Sequence, residues 1–425
     1  MIKSLREHLA KGRFARHVAT MMAGNVTAQA IAFMAAPVIT RLYSPDEFGL
    51  LTLVWSYYGI LAVVSCLCYE QPIVIEPRDD NAINIFVLCI IITISLALLI
   101  GGIIYLFAEE IALIINFKFD KNYLWFIPVA IFSSGLNKSL VSWNSREKKF
   151  KIISLCGIFG TISSVSVKII FAVLFFSSGA WLLSGNILGF FVPAVILLIV
   201  FFYESFPSLR ANFSRQKMIR LAKEYYRFPT YHVATSLLNS ASQNLPVALL
   251  AYYFSPVILG FYGLANSIMK RPVNLISTSM SKVFLQKIAE AHVAGKDLRR
   301  HFLLATKGLV LIGIIPFCIL GFAGSEIFSF VFGEKWLTAG FYAQLLAPWL
   351  FFGFINPPAT QVIIVKQKLK YNMFFNVISL SLRTITIIIT AIFFSKPAIT
   401  IACFSAVGVI LNLYYISFAY RLLRE

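Results

Sequence analysis

The sequence predicts an all-α integral membrane protein, with about twelve transmembrane helices in two six-helix lobes related as parallel repeats. Three observations lead there. Of the 425 residues, 59% are hydrophobic and only 13% charged, with a mean hydropathy of +0.81; a soluble domain has about a quarter of its residues charged. The apolar runs are continuous and about 20 residues long, the length that crosses a bilayer core, whereas a membrane barrel would alternate over runs of about 10. Third, part of the sequence returns. His17-Val18-Ala19-Thr20 recurs as His232-Val233-Ala234-Thr235, Gln29 as Gln243, and Ser44-Pro45 with Gly49 as Ser255-Pro256 with Gly260. The offset drifts from 215 to 211 residues, as a duplication with small gaps would leave it.

The apolar runs place twelve spans at about residues 18–40, 50–68, 84–107, 122–143, 152–176, 180–203, 230–251, 256–277, 302–323, 338–361, 372–394 and 397–420. The basic start (Lys3, Arg6, Lys11, Arg13, Arg16) looks like a signal peptide. The run after it is too long for one and lacks a small-residue cleavage site, so a retained first span is expected. Residues 1–203 form the first lobe, 204–229 a basic amphipathic cytoplasmic linker and 230–425 the second lobe. In the linker, Met218, Ile219, Leu221, Tyr225 and Tyr226 alternate with cations, the pattern of a helix on an anionic inner leaflet. Six spans before the linker start both lobes on the same side, which makes the repeats parallel. Asn356-Pro357-Pro358 should break the tenth span.

With both termini cytoplasmic, 28 of the 37 basic residues fall in cytoplasmic segments and 5 in outer loops. That asymmetry sets the orientation. It also reads the net charge of +19 as membrane topology rather than nucleic-acid binding. Four cations remain inside spans: Lys138, Lys168, Lys307 and Arg383. All 18 acids fall in loops or at span ends. Charges at membrane depth are costly and mark pathways or ligand sites. Lys138 and Lys307 lie close enough to the cytoplasmic side to snorkel, and Lys168 is open between snorkelling and function. Arg383 sits about 16 Å from either end of its span, taking 1.5 Å per residue, so it is expected to face a hydrated cavity or a buried partner. Basic groups without intramembrane acids favour an anionic cargo, and guanidinium matches phosphate oxygens.

Asn25 and Gln29 share a helix face, and Asn239 and Gln243 repeat the pair. Such amides either line a sugar-binding cavity or bond neighbouring helices. Glu70, at the inner end of the second span, is either a proton-coupling group or a loop charge. The six cysteines lie in or beside apolar runs and read as small hydrophobes. No Asp-x-Asp motif or nucleotide-binding glycine loop is present, and the five histidines lack ligand spacing, so no metal or other cofactor is expected.

Gly24-Asn25-x-x-Ala28-Gln29-Ala30-Ile31, the run from Pro37 to Gly49, Tyr69-Glu70 and Ile73 to Ala82 together resemble the Wzx-type polysaccharide flippases. These belong to the multidrug/oligosaccharidyl-lipid/polysaccharide (MOP) exporter superfamily. The close likeness covers about residues 13–85; Cys68 departs from it where the family often has Arg. The resemblance implies a MATE-like fold in the bacterial inner membrane. It implies flipping of an undecaprenyl-pyrophosphate-linked oligosaccharide to the periplasm by alternating access, beside an O-unit polymerase and a chain-length regulator. Arg383, Lys168, Lys307, Lys138, Arg41 and the four amides are the expected substrate contacts. Membrane lipids are expected around the protein, and nucleic acid is not expected as a partner. Two rivals are a cation-coupled multidrug exporter, disfavoured by the lack of a mid-span acid, and a membrane glycosyltransferase or polymerase, disfavoured by the short outer loops.

Overall fold

The computed structural model describes the backbone of residues 2–293 and 297–423, and all their side chains except those of 2–18, 208, 279, 282, 283, 286, 291–293 and 369. The cations Lys3, Arg6, Lys11, Arg13, Arg16, Lys282, Lys296 and Arg424, with His8, His17 and His292, lie outside the described side chains.

The order is α1 Ile2–Leu42, α2 Pro45–Leu61, α3 Glu70–Ile75, α4 Asp79–Ile114, α5 Phe126–Arg146, α6 Phe150–Leu174, α7 Gly179–Glu204, α8 Phe206–Asn212 and α9 Arg215–Glu224. It continues with α10 Val233–Tyr253, α11 Pro256–Val293, α12 Leu298–Phe332, α13 Leu337–Phe354, α14 Pro357–Val365, α15 Leu369–Phe394 and α16 Pro397–Leu422. Among the described residues, nine helical segments are long and apolar enough to cross a membrane. Of the three other expected spans, 230–251 and 256–277 are helical but less apolar, and 50–68 is helical only to Leu61, beyond which residues 62–69 leave the helix. α2 has 17 residues, α10 carries Asn239, Ser240, Ser242, Gln243 and Asn244, and α11 contains Lys270 and Arg271.

Local chemistry explains the helix starts. Ser44 opens α2 with a capping box: its N–H and hydroxyl donate to Glu47 Oε2 at 2.6 and 3.0 Å, and the Glu47 N–H donates back to Ser44 Oγ at 3.3 Å. Pro45 occupies the first helical position, where no N–H is needed. The repeat does the same at α11, where the Ile258 N–H donates to Ser255 Oγ at 3.5 Å ahead of Pro256. The recurring Ser-Pro is thus a helix-start signal used twice. α13 stops at Phe354 and α14 starts at Pro357, so the tenth span breaks at the predicted Asn-Pro-Pro.

The chain divides into two compact units, one of residues 1–43 and 54–240, the other of 44–53 and 241–425. The division falls inside α2 and α10. In the first unit a core of Tyr69, Ile73, Phe86, Leu140, Trp143, Leu197 and Phe201 also takes in Leu221 of α9. The linker helix is therefore docked on protein. Lys217 pairs with Asp80 at 2.9 Å, Tyr69 donates to the Ala222 carbonyl at 2.8 Å, and Tyr225 donates to Glu76 Oε2 at 2.5 Å. Ile219 and Tyr226 stay exposed on its other side. Burial alone would raise the Glu76 carboxyl, but bonds from Tyr225, Asn81 and the Arg78 N–H, with the Arg146 charge, outweigh it and hold it below the usual carboxylate range. In the second unit, Phe284, Ile288, Phe302, Val362, Ile363, Tyr415 and Ala419 form a separate core.

Candidate functional site

The second unit gathers cations and aromatic rings around α15. Arg383 stands over the Trp349 ring of α13 at 4.8 Å and the Phe404 ring of α16 at 5.6 Å. Lys270 of α11 approaches the same indole at 5.2 Å and donates to Gln243 Oε1 of α10 at 3.2 Å. Trp349 is 7% exposed and packs edge-on to Phe404. Gly408 lets it lie there, since a Cβ at that position would strike the indole. Tyr262 of α11 is buried within electrostatic reach of Arg383.

Each cation–ring contact is worth about 0.5–2 kcal/mol. Two positive charges sharing one indole also repel each other. Among the described residues neither pairs with a carboxylate, and Arg383 Nε is buried without an acceptor. The cluster therefore has unspent capacity to bind anions, with a flat ring beside it.

Arg383 is thus half-buried among aromatic side chains and shares the Trp349 ring with Lys270, which is bonded to Gln243. Lys270 is missed in the sequence: it falls inside the expected eighth span, 256–277, yet it and Arg271 are assigned to the cytoplasmic charges. α11 instead runs unbroken from Pro256 to Val293. Apolar residues continuing at helical spacing past Lys270-Arg271-Pro272 were the available signal.

Lys307 is exposed on α12 of the same unit. Arg41, Asn25, Gln29 and Asn239 are exposed and belong to the first unit, as do Lys138, Lys168 and Glu70. Lys168 donates to Asn186 Oδ1 of α7 at 2.6 Å, its stem lies over Gly185, and its carbonyl accepts from Tyr43 at 2.6 Å. Lys138 donates to the Ala62 carbonyl at 2.7 Å and Ser65 Oγ at 3.3 Å. Both lysines are thus held by protein acceptors.

The family model described as "Polysaccharide biosynthesis protein" matches residues 38–340. The chain belongs to the polysaccharide biosynthesis protein family. Its relatives include the succinoglycan biosynthesis transport protein ExoT of Rhizobium meliloti, 21% identical over 79% of this chain and 65% of that one. The lipopolysaccharide biosynthesis protein WzxC of Escherichia coli is 22% identical over 80% and 67%. The teichuronic acid biosynthesis protein TuaB of Bacillus subtilis is 28% identical, but over 28% of this chain and 25% of its own length.

Among solved structures, this polysaccharide biosynthesis family member is similar to an inward-facing MATE multidrug transporter of the MOP superfamily. The TM-score is 0.75 at 12% identity, over 94% of this chain and 98% of that one. It is also similar to the lipid II flippase MurJ, with TM-score 0.71 at 15% identity over 93% and 87%. Identities this low show the fold alone, and the fold is the MATE-like one expected. The protein is a multi-pass membrane protein with a MATE-like fold.

Proposed function

We propose that this protein is a flippase moving an undecaprenyl-pyrophosphate-linked oligosaccharide, an O-antigen or similar repeat unit, from the cytoplasmic to the periplasmic leaflet. It is a transporter of the bacterial inner membrane, not an enzyme, with both termini cytoplasmic. It works by alternating access and hands its cargo to an O-unit polymerase and a chain-length regulator. The observation that carries the reading is that Arg383 and Lys270 share the Trp349 ring and, among the described residues, neither pairs with a carboxylate. A lipid diphosphate is anionic and must cross about 30 Å of hydrocarbon. Fixed cations replace the hydration that its phosphates lose, and Arg383 offers a forked donor matched to phosphate. The indole gives a sugar ring a flat apolar face, and Gln243, which accepts from Lys270, supplies an amide beside it. Lys307 of the same unit is proposed as a further contact along the path. Membership of a polysaccharide biosynthesis family, and relatives named for succinoglycan and lipopolysaccharide biosynthesis, support the cargo class.

The test is complementation of a Gram-negative strain that lacks its flippase and makes a matching repeat unit. Wild type should restore surface polysaccharide, and Arg383→Ala and Lys270→Ala should not at equal membrane abundance. Full polysaccharide from both variants would overturn the assigned site.

A further inference from the structure

The linker has a second side besides the one docked on protein. α7 ends at Glu204 with Phe202 and Tyr203 exposed, and α8 starts two residues later at Phe206. Aromatic residues at the end of a span sit at headgroup level, so α8 leaves the membrane at its surface. Asn84 of α4, completely buried, fixes the corner between α8 and α9. Its Nδ2 donates to the Asn212 carbonyl at 3.0 Å, and its Oδ1 accepts from the Ser214 N–H at 2.9 Å. Ser214 then caps α9 by accepting from the Lys217 N–H. Lys217, Leu221 and Tyr225 hold one side of α9 to Asp80, to the core and to Glu76.

The other side has a different composition. Arg210, Arg215, Arg220, Lys223 and Arg227 are exposed, and among the described residues none of them pairs with an acid. Glu224 is the one acid among the described side chains of 206–227. Exposed Phe206, Phe213, Ile219 and Tyr226 stand between the cations. On α9, Arg215, Ile219 and Lys223 follow one another at four-residue spacing and so share a row, with Tyr226 and Arg227 just past its end. An acidic protein would match the cations but not the apolar groups set among them. A leaflet matches both, with phosphates at the level of the cations and acyl chains beneath.

We propose that this outward side of α8 and α9 is a binding surface for anionic phospholipid in the leaflet on the linker's side (the cytoplasmic one in the proposed orientation). Phosphate headgroups sit on the five cations, and Phe206, Phe213, Ile219 and Tyr226 enter the layer below them. α9 is then held from two directions, by protein through Asp80 and Glu76 and by lipid across from them. Because the Ala222 carbonyl of α9 accepts from Tyr69 and Tyr225 donates to Glu76, the charge of the leaflet also steadies α3 between those two contacts. The surface needs neither cargo nor transport, so it stands apart from the proposed function.

The experiment is hydrogen–deuterium exchange of the full chain at neutral pH in two kinds of nanodisc, one of phosphatidylcholine alone and one with phosphatidylglycerol added. In wild type, peptides covering 210–227 should exchange about tenfold more slowly with phosphatidylglycerol present, and the slowing should fade at about 1 M salt, where charges are screened within about 3 Å. The variant Arg215→Gln/Arg220→Gln/Lys223→Gln/Arg227→Gln should lose the slowing yet match wild type in phosphatidylcholine, since Lys217, Leu221 and Tyr225 are untouched. Where four changes loosen α9 in phosphatidylcholine as well, the pair Arg220→Gln/Lys223→Gln decides, with the slowing cut to about threefold. Equal exchange of wild type in the two lipids would overturn the proposal and leave the surface to water or to an acidic protein. So would a slowing that the pair retains undiminished, because the lipid would then act elsewhere. With no cargo present, the result is independent of whether the protein flips a lipid-linked sugar.

Discussion

Gly49 and Gly260 each lie against the other repeat's proline: a Cβ on Gly49 would strike the Pro256 carbonyl, and one on Gly260 the Pro45 carbonyl. The two Ser-Pro helix starts, 211 residues apart, thus meet reciprocally through their glycines. Gly49→Val and Gly260→Val should each destabilise by about 1–3 kcal/mol or more, because the obstacle is backbone that cannot rotate away. The double variant should depart from additivity, since both changes push on one contact. Thermal unfolding in detergent checks this, with Gly157→Ala, which meets nothing within 4 Å, as the neutral control.

Trp349 connects the two cations, so its replacement should affect both. Trp349→Leu should lower transport by about tenfold or more while leaving the protein folded, through loss of two contacts of about 0.5–2 kcal/mol each. Arg383→Lys should be nearly as damaging as Arg383→Ala, because a lysine keeps the charge but not the planar fork. Surface polysaccharide per unit of membrane protein is the measurement.

Lys168 should behave as a structural lysine. Lys168→Met leaves the half-buried Asn186 Oδ1 without its donor, a loss of about 0.5–1.5 kcal/mol. Asn186→Leu should offset much of that loss in a double-mutant cycle read by thermal unfolding.

The linker helix α9 should loosen in acid. Glu76 is held below the usual carboxylate range, so its contribution is fully present above about pH 4.3 and is lost as pH falls through the lower folded value. Burial, together with Glu76, pushes the Tyr225 hydroxyl up to about 12, so it stays protonated and donating at neutral pH. Tyr225→Phe should bring the loosening on at higher pH. Limited proteolysis between residues 212 and 227 across a pH series is the check.

Much of this was legible in the sequence because membrane burial enforces simple rules. Backbone groups in hydrocarbon must bond within a helix, so each apolar run had to be helical, and all twelve expected segments contain helices. The Ser-Pro starts and the Asn-Pro-Pro break were readable because capping and proline chemistry act within a few residues. Arg383 stood out because an arginine far from either end of a span needs a polar setting.

Lys270 was not legible as a site residue, because beside Arg271 it reads as a charge at the cytoplasmic end of its span, and only packing sets it on Trp349 and Gln243. Lys138 and Lys168 are indistinguishable from cavity lysines in a linear sequence; their acceptors lie 76 and 18 residues away. The sequence by itself determined a helical membrane protein of two repeats, with cations left over and few acids to meet them, since those properties follow from composition and local spacing. Which cations share a ring, which are spent on a neighbouring carbonyl, and which glycines let two helix starts touch were decided by tertiary structure alone. Those depend on helix rotation and long-range packing, which no local pattern encodes.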